Sequence, residues 1–377
     1  MKVKVQGIDL GILFPVILLL AVSVLMVFST TAMLTSSSAP AALVKSANVY
    51  IRSHLFHMIL GLVAAYLVML LPLDKIEKYA PYLFAGLLLM LVIVLVPGVG
   101  VVAGGARRWI DLKVLRFQPG EFMKLAIVVF ISAYMAKHQD RVNELVRGIF
   151  IPLGLTAITV LLLLLEPDFG STSVILLLVI AILLLGGVSL LYLLGLGAVV
   201  SCLLATLIAL SPYRLKRFTA FLDPFQDPSK SGYQLIQSLI AVGSGGITGV
   251  GLGASEQKLF YLPAAHTDFI YAVIAEELGF IGALGVLLLY LLILIRGMRV
   301  CRHTKSWPFA SILAGGLTLL ICLPAFLNIA VVTGLLPTKG MVLPLISYGG
   351  SAMIMNLLAV GLLLKLSLLI HSADNHE

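Results

Sequence analysis

Charged residues divide this chain into ten apolar runs, near residues 10–33, 54–72, 80–97, 121–136, 148–165, 171–187, 190–211, 267–295, 309–333 and 346–370. A helix needs roughly 20 apolar residues to cross a bilayer, and the pattern predicts about ten such crossings. Residues 171–213 carry no charge over 43 positions. That is too long for one crossing and fits two helices joined by a tight turn at Gly186-Gly187. The eighth run extends past the bilayer. The expected architecture is an all-α integral membrane protein, with residues 1–377 as a single polytopic domain. Residues 211–265 form one large extracytoplasmic loop within it.

Composition agrees with this reading. Hydrophobic residues make up 60% of the chain and charged residues only 11%, against about 25% charged in a soluble domain. So few charges cannot cover a water-facing surface. The balance of 25 Lys and Arg against 17 Asp and Glu gives a net charge of +8. With no long basic tract and no RNA-binding signature, it does not point to nucleic acid; an anionic lipid surface or an anionic substrate remains. Cys202, Cys301 and Cys322 lack paired spacing and read as packing residues. The first apolar run follows Lys2 and Lys4 and is longer than a secretory h-region, so it reads as a retained signal anchor.

Ten crossings place both termini on one side. The short loops and the first helix carry most weight in the positive-inside rule and favour cytoplasmic termini in an inner, cytoplasmic membrane. Twelve of the 25 basic residues then lie inside. The outer positives form two clusters, Arg107, Arg108, Lys113 and Arg116 after the third run, and Arg214, Lys216 and Arg217 at the head of the long loop. Such clusters serve either headgroup contact or an anionic substrate, and Arg suits phosphate because its planar fork donates in pairs. The long loop continues through the turn signals Asp223-Pro224 and Asp227-Pro228, an apolar segment at 233–242 and a glycine-rich stretch at 243–253. That stretch holds no nucleotide-binding motif and reads as a flexible or re-entrant loop lining a site.

Four motifs in order resemble the SEDS family of cell-wall proteins. They are Gly105-Ala106-Arg107-Arg108-Trp109-Ile110 with Gln118-Pro119-Gly120-Glu121; Glu166-Pro167-Asp168-Phe169-Gly170; Leu262-Pro263-Ala264-Ala265-His266-Thr267-Asp268-Phe269-Ile270 continuing to Glu276-Glu277-Leu278-Gly279; and Asn328 through Thr333-Gly334-Leu335-Leu336-Pro337-Thr338-Lys339-Gly340 to Ser347-Tyr348-Gly349-Gly350-Ser351. Gly120 stands where the family usually has Ser, and Ala264 where it usually has Glu, which removes an acid from beside Asp268. Pro337-Thr338-Lys339-Gly340 is more similar to the division branch than to the elongation branch. The resemblance implies a SEDS fold and a peptidoglycan glycosyltransferase that joins lipid II units on the outer membrane face and releases undecaprenyl pyrophosphate. It implies a class B penicillin-binding protein, a transpeptidase, as partner, together with other membrane proteins of the division machinery. A lipid II flippase or transporter and a non-catalytic division scaffold are the alternatives.

Polymerisation needs a base to take a proton from the acceptor hydroxyl, and the motif places Asp268 there. The leaving pyrophosphate needs cations rather than a general acid, so one carboxylate and a basic cluster suffice. Asp268 or Thr267 would also N-cap the eighth run. Arg107, Arg108, Arg214, Arg217, Lys339 and His266 are the candidate substrate-binding residues, with His266 orienting the carboxylate or touching sugar. Trp109 fits either the membrane interface or the site. Glu121 and Lys124 read as a pair along one helix. Glu166 and Asp168, flanking Pro167, fit either a pocket or structural hydrogen bonding. Glu276 and Glu277 lie about 12 Å along the helix from Asp268, on different faces. One is expected to line a polar cavity and the other to meet a neighbouring helix. Ser347 opens the last run among small residues that permit close packing. No metal-ligand set is read, and a divalent cation, Mg or Mn, is the one candidate cofactor.

Overall fold

The structure, a computed structural model, describes residues 7–32, 41–103, 106–111, 113, 116–226, 228, 232–259, 261–338 and 340–369, without the side chains of 32, 41–48, 103, 204, 213, 214, 217 and 218. The helices are α1 (Leu10–Ala32), α2 (Ala41–Leu70), α3 (Leu73–Leu95), α4 (Pro119–Lys137), α5 (Ile151–Leu165), α6 (Phe169–Leu185), α7 (Leu190–Ala209), α8 (Pro212–Leu222), α9 (Tyr233–Ser244), α10 (Ile270–His303), α11 (Pro308–Val332) and α12 (Gly350–Ser367). Among the described residues nine helices are long and apolar enough to cross a bilayer, and α6 is a shorter apolar helix. Each of the ten apolar runs lies on one of these ten. Boundaries differ at α2, which begins well before the apolar run at 54, and at α10, which begins at Ile270 rather than 267.

The bundle is organised from the inside. Helix α4 lies against α3, α6 and α11, while α11 also packs on α10 and α12, and α2 runs along α12. Large apolar side chains such as Leu191, Leu194 and Val199 on α7 point outward. This is the arrangement expected when the solvent is hydrocarbon and apolar surface gains nothing by burial. Between α3 and α4 lies a small sheet that the apolar pattern did not predict. It is antiparallel, in the order β1 (Gly100–Ala103), β2 (Ala106–Asp111) and β3 (Arg116–Phe117). In β2, Trp109 pairs with Val101 and Arg107 with Val102, so Arg108 is the extra residue of a bulge.

Segment 211–265 is largely structured, and its glycine-rich part docks into a break in α10. Gly279 has φ 67° and ψ −168° within that helix, a conformation open to glycine and costly for other residues. The break leaves carbonyls and amides without helical partners, and the loop supplies them. Val250 N donates to Glu276 O at 3.0 Å and Gly251 N to Glu277 O at 3.1 Å. In return Phe280 N donates to Gly246 O at 2.9 Å and Ile281 N to Ile247 O at 3.2 Å. A Cβ on Gly249 would collide with the Glu277 carbonyl, so glycine there is steric necessity. The stretch is therefore a fitted plug rather than a flexible lining.

The two glutamates before the break finish the attachment. Glu276 Oε2 accepts from Ser255 Oγ at 2.5 Å, and its Oε1 accepts from Glu256 N at 3.0 Å. Glu277 forms an ion pair with Lys258 at 2.5 Å, and Ser29 of α1 donates to it at 2.6 Å. The side chains of Ser29, Ser255, Lys258, Glu276 and Glu277 are all buried. Of the two roles expected for the pair without assignment, Glu277 takes the contact with a neighbouring helix, whereas the loop rather than a polar cavity takes the Glu276 carboxylate. A buried charge left without its partner costs about 3–5 kcal/mol, whereas replacing both by apolar groups is often neutral. Glu277→Gln should therefore lower the melting temperature of the detergent-solubilised protein clearly, and Lys258→Met/Glu277→Leu should recover most of the loss. A double variant as unstable as the single one would contradict this account.

Candidate functional site

A cavity of about 750 Å³ opens at the level where α4 and α12 begin and α10 starts. Three structural units converge on it. The loop before α10 contributes His266, Thr267 and Asp268; the sheet and its exit contribute Trp109, Asp111, Lys113 and Arg116; α2 and the start of α12 contribute Tyr50, Ser53, His57 and Tyr348. Glu121, in the first turn of α4, also reaches the cavity.

The loop carrying Asp268 is held by its backbone. Ala264, at φ 58°, turns its carbonyl toward the amides of Thr267 and Asp268 at 3.0 and 3.1 Å. Asn328 Nδ2 donates to the Asp268 carbonyl at 2.7 Å and to Met341 O at 2.6 Å. Ser347 Oγ donates to Thr267 O at 2.5 Å and accepts from Leu343 N at 2.7 Å, and Tyr348 N donates to His266 O at 3.0 Å. Ser347 is thus a hydrogen-bonding tie as well as a small residue. The Asp268 carboxylate lies so close to Gly340 that a Cβ there would sit 2.8 Å from Oδ2. Helix α10 is capped at Phe269 with no side-chain cap bond, so neither Thr267 nor Asp268 N-caps it. Burial pushes the His266 imidazole below its ordinary range, which keeps it neutral at physiological pH.

The outer basic cluster divides in two. Lys113 and Arg116 face the cavity, and Lys113 N donates to Asp111 Oδ1 at 2.8 Å in an Asx-type bond. Arg107 and Arg108 do not face it. Arg107 Nη1 donates to Leu95 O, the last residue of α3, at 3.1 Å. Arg108 Nε donates to Glu166 O, at the end of α5, at 3.1 Å, and Nη2 donates to Pro167 O. Helix C-termini present unpaired carbonyls and partial negative charge, so both guanidiniums are drawn to helix ends, and the bulge at Arg108 re-aims that side chain. Arg214 and Arg217 lie on α8 with side chains outside the described residues, and Lys339 lies outside them altogether.

Glu121 and Lys124 pair at 2.8 Å as the spacing suggests. Asp168 N-caps α6, accepting from Ser171 N at 3.0 Å and Ser171 Oγ at 2.8 Å, so its role is structural hydrogen bonding. Asn328, Tyr50, Ser53, His57 and Tyr348 carry no role in the sequence reading. The available signal was a polar residue inside an apolar run for Asn328, and a polar stripe along α2.

Glu166 is 1% exposed, and neither carboxylate oxygen has a hydrogen-bond partner among the described residues. Burial raises its pKa from 4.5 to about 8, nearby Asp168 adds to the rise, and Arg108 opposes it. The folded protein then keeps this proton while the unfolded chain loses it. That contribution to stability is full below pH 4.5 and falls until the folded group ionises near pH 8. Glu166→Gln should gain melting temperature relative to wild type as pH rises from 5 to 8. A difference that stays constant over this range would show that Glu166 ionises normally.

Comparison with known proteins places this geometry in a family. A chain from a solved peptidoglycan synthase complex, described as coordinating polymerization and crosslinking, has the same fold, with a TM-score of 0.76, 30% identity and 99% of both chains covered. The protein named probable peptidoglycan glycosyltransferase FtsW in Legionella pneumophila is 45% identical over 338 residues, 86% of each chain. The protein of that name in Geobacter sp. strain M18 is 38% identical over 364 residues, 97% of this chain and 98% of its own. The family model for FtsW, RodA and SpoVE, described as cell cycle protein, matches residues 12–371, and the chain belongs to that family.

Proposed function

We propose that this protein is a peptidoglycan glycosyltransferase that polymerises lipid II during septal wall synthesis, with Asp268 as the general base. The observation that carries the reading is the meeting of Asp268 with Lys113 and Arg116 in one cavity at the ends of the spanning helices. Asp268 takes the proton from the acceptor sugar hydroxyl as its oxygen bonds to the donor anomeric carbon. The bond from that carbon to the pyrophosphate oxygen breaks, and undecaprenyl pyrophosphate leaves with the electron pair. Lys113 and Arg116 stabilise the charge developing on the leaving group. His266, neutral beside the base, stays available as a hydrogen-bonding partner. Among the described residues no group of three or more His, Cys, Asp or Glu is placed to hold a metal ion. No step is routed through the Mg or Mn candidate.

Arg296, Arg299, Arg302 and Lys305 gather at the end of α10 away from the cavity, and Lys137 ends α4 on that same side. By the positive-inside rule this supports a cavity on the outer face and both termini in the cytoplasm of the inner membrane. The polar loop plugging α10 is consumed in satisfying the break, leaving Glu276 and Glu277 no part in a continuous polar path. This favours a polymerase over a flippase. The resemblance and the related synthase complex support a class B penicillin-binding protein as partner, alongside other division membrane proteins.

Asp268→Asn keeps the size of the side chain and removes the base, so purified protein should fold normally and make no glycan from lipid II. Near wild-type polymerisation would refute the assignment. Transport of lipid II between leaflets by an unimpaired Asp268→Asn protein would favour the flippase reading, and full division activity without catalysis the scaffold. Each charge-assisted phosphate contact contributes about 1.5–3 kcal/mol, so Arg116→Ala and Lys113→Ala should each lose roughly 10- to 100-fold in turnover at unchanged melting temperature. Arg107→Ala and Arg108→Ala should lower the melting temperature instead. Activity unchanged by either cavity substitution would move the phosphate site elsewhere.

A one-to-one complex with the transpeptidase should co-purify in detergent and polymerise faster than the isolated protein. Equal rates with and without the transpeptidase would overturn activation by that partner.

A further inference from the structure

Along α2 the side chains of Tyr50, Ser53 and His57 recur at helical spacing and all line the cavity. The stripe interrupts a span whose neighbouring positions, Val49, Phe56 and Ile59, are exposed apolar residues. Tyr348, from the loop before α12, closes the stripe. Its ring stands edge-on to Tyr50 at a centroid distance of 5.2 Å, and its hydroxyl donates to Ser53 Oγ at 3.3 Å. His266, two residues from the base, lies 5.5 Å from the Tyr50 ring. The result is an aromatic wall in the cavity that also holds Asp268, Lys113 and Arg116.

His57 is set in one tautomer. Its Nδ1 lies 2.5 Å from the Ser53 carbonyl, and because a carbonyl only accepts, Nδ1 carries the proton. In the neutral ring, Nε2 is then an acceptor. That nitrogen lies against Gly350, where a Cβ would come within 2.5 Å, so the glycine at the start of α12 makes room for the ring. Aromatic residues at a membrane edge commonly serve as interfacial anchors. Tyr66 and Tyr82, 63% and 72% exposed, face outward in that way. Tyr50 and Tyr348 instead pack edge-on against one another and line a cavity.

We infer that this α2 wall is a neutral saccharide subsite that holds the acceptor sugar, with the Tyr50 and Tyr348 rings against the pyranose and Ser53 and His57 Nε2 taking its polar groups. Amphipathic rings with a few placed polar groups suit a ligand of apolar faces and polar edges. The assignment to the acceptor follows from chemistry: the hydroxyl that reacts must reach Asp268, and the charged pyrophosphate of the donor belongs with the cations Lys113 and Arg116. The inference rests on reading the cavity as a polymerising site.

The test is equilibrium binding of triacetylchitotriose, a neutral N-acetylated oligosaccharide, to the full-length protein in detergent. Tryptophan fluorescence reports it, because Trp109 lies in the cavity while Trp307 stands before α11 at the far end and gives a constant background. Wild-type protein should bind. Tyr50→Ala and Tyr348→Ala should weaken binding at least tenfold, and Tyr50→Phe should keep most of it. Tyr50→Leu, which retains apolar bulk without an aromatic face, should behave like Tyr50→Ala. Arg116→Ala should bind the saccharide as wild type does but lose binding of inorganic pyrophosphate. Absence of wild-type binding, or unchanged binding by Tyr50→Ala and Tyr348→Ala, would overturn the subsite. Polymerisation separates the two readings: wild-type protein that binds the saccharide yet makes no glycan would refute the polymerase assignment and leave the subsite standing, and Asp268→Asn that keeps both would refute only the base.

Discussion

The break in α10 at Gly279 governs much of this structure, because a polar backbone exposed to hydrocarbon is costly and must be paired from within the protein. The amides and carbonyls freed at the break are taken up by residues 246–251, which fixes the long loop to the helix. Glu276 and Glu277 extend the attachment through Ser255, Glu256 and Lys258. Only a few residues separate this anchored segment from His266 and Asp268, so the loop that carries the base is tethered at both ends. One tether is the α10 break and the other is α10 itself, beginning at Ile270.

From the opposite side, α11 and the segment before α12 complete the constraint. Asn328 and Ser347 bind the backbone of 267–268, which positions the base. Gly340 brings the chain close beside it. The cavity's charge is likewise sorted by helix ends. Arg107 and Arg108 neutralise the carbonyl ends of α3 and α5, and Lys113 and Arg116 are left on the cavity side. The aromatic wall of α2 gives the site a second character, so one cavity holds both cationic and aromatic side chains.

Much of the fold was determined by the sequence alone. Bilayer thickness sets the length of an apolar run, so the ten runs corresponded to ten helices, including the split at Gly186-Gly187. The i, i+3 relation also paired Glu121 with Lys124, since helix geometry makes such neighbours meet whatever surrounds them. The identity of the family was legible from motifs in order, Asp268 among them. What the tertiary structure decided was direction. Arg107, Arg108, Lys113 and Arg116 are one basic cluster in the sequence, and a single bulge together with two helix ends divides it into structural and cavity-facing pairs. Glu276 acquired a loop rather than a cavity because the partner lies about twenty residues away in the chain, beyond any local periodicity. Tyr50 and Tyr348 meet across almost three hundred residues, and no spacing rule along one helix can show which rings a distant loop will bring against it.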